Sequence, residues 1–128
     1  MAPFKNETAA TEQLNRLDVF ISTLPQKEQD MVYTLIDELK KLPHTKSLTK
    51  KLDDAGIFEA RGATADKWIR LFWFWHKAPG ENSRIVITHG YLKDQNKTDP
   101  GEIKIAKDIK KRYESMKAEL YRNQKKKQ

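Results

Sequence analysis

The run "KWIRLFWFWH", residues 67–76, constrains the fold more than any other part of this chain. Its period of two puts Ile69, Leu71, Trp73 and Trp75 on one side of an extended strand. Trp68, Phe72 and Phe74 fall on the other side. A strand that is apolar on both faces has to be covered on both, at least in part, so it belongs in the middle of a sheet. The same run carries Arg70, and a guanidinium is expensive to bury without a partner. Either a carboxylate within the fold meets it, such as Glu59 on the neighbouring strand, or an anion from outside does.

Around this strand the chain changes period twice. Residues 10–22, "ATEQLNRLDVFIS", place Leu14, Leu17, Phe20 and Ile21 at helical spacing. A stronger helix follows in "TLPQKEQDMVYTLIDELKKLP". Met31, Val32, Leu35, Ile36, Leu39 and Leu42 form its stripe, Thr23 and Gln26 resemble a capping box, Pro25 suits the first turn and Pro43 ends it. Two such helices with a short connection make a helical hairpin. From Gly56 the period falls to two, and "GIFEAR", "KWIRLFWFWH" and "RIVITHGYLK" read as strands. Connections as short as "KAPGENS" favour antiparallel pairing.

A last helix follows "KTDPGE". Asp99 serves as N-cap, Pro100 as the first helical residue and Glu102 as capping-box partner, with Ile103, Ala106, Ile109, Tyr113, Met116 and Leu120 as the buried stripe. The expected fold is α+β: an N-terminal helical hairpin, a three-stranded antiparallel sheet and a C-terminal helix.

At 128 residues the chain reads as a single domain, with residues 1–9 and 122–128 expected to be flexible. No apolar run is long enough to cross a bilayer, and the start "MAPFKNETAATEQ" lacks the apolar segment of a secretory signal. With no cysteine there are no disulfides or thiolate metal sites, which fits a cytoplasmic protein. The net charge is +7, and residues 93–128 carry 12 Lys and Arg against 6 Asp and Glu. Such a surface favours polyanions, although a solvated basic helix has the same composition.

Glycine-rich phosphate loops and Gly-x-Ser-x-Gly elbows are absent, and the three histidines, His44, His76 and His89, have no metal-ligand spacing. Neither a metal nor a cofactor is expected. What remains is a set of cations and aromatics near strands. Arg61 ends the first strand, Arg70 interrupts the second, and His89, Tyr91 and Lys93 share one face of the third. Lys97 follows in the next loop. Such a set is rich in donors and poor in acceptors, which suits a phosphate and unpaired bases. Read blandly, Arg70 pairs with Glu59, His89 is a satisfied structural histidine, and Lys93 and Lys97 are solvated.

Five pieces in order, "LPQKEQDMVYTLIDEL", "GIFEAR", "KWIRLFWF", "RIVITHGYLK" and "KTDPGEI", resemble toxins of the RelE/ParE superfamily, closest to the phage-derived, HigB-like branch. The resemblance runs from Leu24 to Glu102. It implies a RelE-like fold and a ribosome-dependent mRNA endonuclease that inhibits translation. A cognate antitoxin, of helix-turn-helix type, would neutralise it. The reaction implied is metal-free attack of a ribose 2′-OH on the adjacent phosphate. The resemblance assigns Arg61, Arg70, Lys93 and Lys97 to catalysis, and His89 is a secondary acid–base candidate because its unperturbed pKa suits proton transfer near neutrality. Tyr91 and the lysines of "KSLTKK", Lys46, Lys50 and Lys51, are assigned to RNA binding.

The chain departs from the family pattern at three places. Asp94 stands where a second lysine is usual, the proline of "KTDP" comes one position late, and Ile69 replaces an aromatic. Two other readings follow: a non-enzymatic gyrase poison of ParE type, or a degenerate member that only binds RNA or antitoxin.

Overall fold

In a computed structural model of the chain, the structure describes residues 10–13, 15–52, 55–77, 83–93 and 99–126. The elements in order are β1 (Ala10–Gln13), α1 (Asn15–Ser22), α2 (Gln26–Lys41), β2 (Thr49–Lys51), β3 (Phe58–Ala63), β4 (Trp68–His76), β5 (Arg84–Lys93) and α3 (Pro100–Lys126). One sheet holds all the strands in the order β1-β5-β4-β3-β2. β2 to β5 pair antiparallel, and β1 joins the far edge parallel to β5. The expected layers are present, but the expected three strands are the centre of a five-stranded sheet.

Both additional strands were illegible for physical reasons. β1 and β2 are only 4 and 3 residues long and sit at the edges, where one neighbour supplies the hydrogen bonds. The "ATEQ" of β1, read as the start of a helix, pairs instead with the start of β5.

α1 and α2 cover one face of the sheet. Leu17, Ile21, Val32, Leu35, Ile36 and Leu39 pack with Ala60, Ile69, Leu71, Trp73, Ile85 and Ile87 in one buried cluster. Glycines set how closely the helices approach. A Cβ on Gly90 would lie 2.6 Å from the Phe20 ring of α1, and one on Gly62 would lie 3.2 Å from Leu35 of α2. Gly56, at φ +80, turns the chain from β2 into β3.

Several local expectations are corrected. Pro25 occupies the N-cap of α2, which has no side-chain cap, and the Thr23 hydroxyl donates to Phe20 O instead. Leu42 is exposed. α3 begins as expected, with Asp99 Oδ1 accepting from Gly101 N at 2.8 Å. Glu102 turns its carboxylate to His89 at 3.1 Å, where a capping box was expected. Ala106 and Tyr113 are buried on the other sheet face, whereas Met116 and Leu120 are exposed further along α3. The helix runs through Lys126, so residues 122–126 are helical, while 1–9 and 127–128 lie outside the described residues.

Candidate functional site

Opposite the hairpin, the second sheet face is divided. Phe72, Phe74 and Val86 pack against Ala106 and Tyr113 of α3, with Ile57 at their side. Towards the other end of the same face the residues become polar, and register shows which of them stand in rows. Lys50, Glu59, Phe72 and His89 form one row, Arg61, Arg70 and Tyr91 the next, and Ala63, Trp68 and Lys93 the last. Directly opposed residues on neighbouring strands share a face, so the cations of four different strands meet there.

This meeting depends on an irregularity in β5. Trp73 pairs with Ile87, but the next pair is Phe72 with His89, which leaves Thr88 as a bulge. Ile85 and Ile87 face the helical hairpin. Strict alternation would send His89, Tyr91 and Lys93 to the same side. The extra residue reverses the parity and turns all three to the face that carries Arg70. Thr88 is itself buried, and its hydroxyl lies 3.3 Å from Phe72 O and 3.0 Å from His89 Nδ1.

Glu59 lies beneath the cations, 2% exposed. Arg70 Nε stands 3.7 Å from its Oε1, an ion pair too long to be a hydrogen bond. Nη1 of Arg70 donates to Ile69 O at 3.0 Å, while Nε is buried without a hydrogen-bond partner. The carboxylate partner weighed for Arg70 is therefore present, and it leaves most of the guanidinium's donors uncommitted among the described residues. Burial pushes the Arg70 pKa down, Glu59 raises it and Arg61 adds to the lowering. The guanidinium stays charged at any physiological pH.

Lys93 is 9% exposed, and burial pushes its pKa below the usual lysine range. Glu59 opposes that shift, while Arg70, Arg61 and Lys50 reinforce it. Four cations thus sense one another around one carboxylate, leaving the face strongly positive and able to hold an added anion. Arg61 and Lys50 are exposed, and Trp68 is 43% exposed with the Arg70 guanidinium 5.9 Å from its ring centre.

His89 is enclosed and hydrogen-bonded. It is 3% exposed, stacks on Phe72 at 4.9 Å, and has a partner at each ring nitrogen. Burial pushes its pKa down, against the raising effect of Glu102, which favours a neutral ring. A proton on Nε2 facing Glu102 leaves Nδ1 to accept from Thr88. Tyr91 stacks on Phe72 at 5.5 Å on the same face.

The remaining assigned residues divide clearly. Lys50 belongs to the cluster. Lys51 pairs with Phe58, whose ring stacks on Trp73 on the hairpin side, and Lys46 is exposed in the turn before β2. Lys97 and Asp94 lie outside the described residues. Trp68, which the sequence grouped only with Phe72 and Phe74, is exposed beside the clustered cations. Its signal was position, since the first residue of a strand is the one least covered by neighbours. Among the described residues, no three His, Asp or Glu side chains are grouped so as to hold a metal ion. No described helix is long and apolar enough to cross a membrane.

Comparison with known proteins finds similarity to one family and to solved structures. The family model described as "Phage derived protein Gp49-like (DUF891)" matches residues 19–111. A chain in the solved toxin–antitoxin complex RelBE2 from Mycobacterium tuberculosis is similar at 19% sequence identity with a TM-score of 0.54. That similarity covers 67% of this chain and 99% of the other, and it shows the shared RelE-like α+β fold. No curated protein matches.

Proposed function

The chain belongs to the phage-derived Gp49-like family, and we propose that it is the toxin of a toxin–antitoxin pair that cleaves messenger RNA on the ribosome. The observation that carries this reading is the convergence of Lys50, Arg61, Arg70 and, through the β5 bulge, Lys93 on one face of the sheet. Family and fold supply the context, and the chemistry of the face supplies the reaction.

In that reaction a ribose 2′-hydroxyl gives its proton to solvent, and its oxygen forms a bond to the adjacent phosphorus while the bond to the 5′-oxygen breaks. The products are a 2′,3′-cyclic phosphate and a free 5′-hydroxyl. Negative charge builds on the non-bridging oxygens in the transition state, and fixed cations stabilise it without reorganising. Arg70 is suited to this task because Glu59 holds it in place without using its donors in hydrogen bonds. Arg61, exposed in the same row, grips the phosphate from the side. Lys93, pressed by burial and its neighbours to give up its proton, is suited to protonating the leaving 5′-oxygen. Lys50 extends the positive field across the sheet, and the family resemblance adds Lys97 as a further phosphate-binding cation. An antitoxin neutralises the protein by occupying this face or by keeping it from the ribosome.

Expression of the chain alone, under a tight promoter, is expected to arrest growth and produce cuts within translated messages. An Arg61→Ala/Lys93→Ala variant should remain folded and lose cleavage by about 100-fold or more. Growth arrest with intact messages would overturn the reading, and DNA breaks in those cells would point to gyrase.

A further inference from the structure

Trp68 is the feature of the cationic face that phosphate chemistry leaves unused. It begins β4 in a row with Ala63 on one side and Lys93 on the other, adjacent to the row of Arg61, Arg70 and Tyr91. Indole is the largest side chain and gains most from burial, yet this one is 43% exposed. Trp73, on the same strand, is 0% exposed, so β4 offers covered positions and Trp68 does not occupy one. Its small neighbour Ala63 leaves room beside it, and α3 covers Phe72 and Phe74 further along the strand. Tyr91 is less available as an open ring, because it is half-buried and stacked against Phe72.

We propose that Trp68 is the stacking platform for an unpaired nucleobase next to the phosphate held by Arg61, Arg70 and Lys93. This deepens the RNA-cleaving reading and rests on it. Single strands are bound by pairing cations that track the backbone with aromatic rings on which bases lie, and this face holds both within two adjacent rows. The Arg70 guanidinium at 5.9 Å covers one part of the indole and binds it to the phosphate site. A base on the remaining exposed surface therefore has its position fixed relative to the cations. Position 69 lies on the opposite side, where Ile69 is fully buried on the hairpin face, so Trp68 and not residue 69 is the β4 aromatic beside these cations. Stacking accepts every base, so Trp68 gives affinity for unpaired strands with only modest sequence preference.

The test uses the whole chain and a short single-stranded RNA with 2′-O-methyl groups, which remove the attacking hydroxyl and leave binding to be read alone. An abasic strand of the same length and charge is the comparator. Trp68→Ala is expected to weaken binding of the base-bearing strand by about 5- to 100-fold and to leave the abasic strand unaffected, while Trp68→Phe retains most of the affinity. Equal loss on both strands would overturn the proposal by showing that Trp68 merely supports Arg70. Unchanged binding of the base-bearing strand would overturn it too. If the unaltered chain bound neither strand and left messages intact in cells, the parent reading would fall with it. Cleavage that persists in cells while Trp68→Ala binds normally removes the platform alone.

Discussion

On the side of β4 that meets the helical hairpin, Ile69, Leu71 and Trp73 are all 0% exposed. On the opposite side the intervening residues are Trp68, Arg70, Phe72 and Phe74, and only the last two are covered so completely. The two sides belong to one strand and alternate residue by residue. One closes a continuous apolar layer under α1 and α2. The other gives half its length to α3 and leaves the rest to charge. The core that stabilises the protein and the surface that carries the proposed chemistry therefore lie back to back, separated by a single backbone, so changes on the two sides should have separable effects.

The largest expected effect is on stability. Trp73 stacks on Phe58 at 4.4 Å, meets Trp75 edge-on, and donates its indole N–H to Thr49 Oγ1 at 2.9 Å. Trp73→Ala removes the largest fully buried side chain and leaves the Thr49 hydroxyl short of a donor. The expected loss is about 3–5 kcal/mol in chemical denaturation. A loss no larger than that of a surface substitution would erase the distinction between the two faces.

Next in size is the Arg70–Glu59 pair, where the faces are most tightly linked. Arg70→Ala leaves a carboxylate 2% exposed with less positive charge around it, for about 1–3 kcal/mol of stability. Arg61, Lys93 and Lys50 keep the cost below that of Trp73. The Arg70→Ala/Glu59→Gln double variant should recover much of the stability and none of the cleavage. If it recovered cleavage as well, Arg70 would be a structural cation and would leave the proposed site.

How much of this was legible in the sequence follows from how far each feature depends on distant residues. The helices, the three central strands and the two-sided burial of β4 follow from local period, which short-range sterics and burial enforce. The edge strands β1 and β2 depend on a neighbour contributed from elsewhere in the chain. The bulge at Thr88 did leave a trace. Ile85 and Ile87 are in phase with His89, Tyr91 and Lys93, and one unbroken strand face would have to be first apolar and then charged. That conflict of parity is resolved by an inserted residue, and it is why the sequence could group His89, Tyr91 and Lys93 without placing them beside Arg70. The "HG" of "RIVITHGYLK" is also tightly packed on both sides of the sheet. His89 is buried under α3's Glu102, and Gly90 admits Phe20 from the other side.

His89 gives the smallest and most diagnostic effect. Its ring faces Phe72 and Thr88 from the sheet and Glu102 from α3, and Arg16 adds an unfavourable charge from α1. Burial lowers its pKa in the folded state, so between the folded and unfolded values the unfolded chain binds more protons than the native one. Stability is then highest above the unfolded histidine value of about 6.5 and falls as the pH drops through it. Denaturation midpoints measured across that range should show this slope, and His89→Gln should flatten it. If His89 were instead an exposed acid–base group of the proposed site, its substitution would change the pH profile of cleavage and leave the slope of stability untouched. A flattened stability curve with an unaltered cleavage profile is the expected result, and it would place His89 with the architecture that holds β5 against α3.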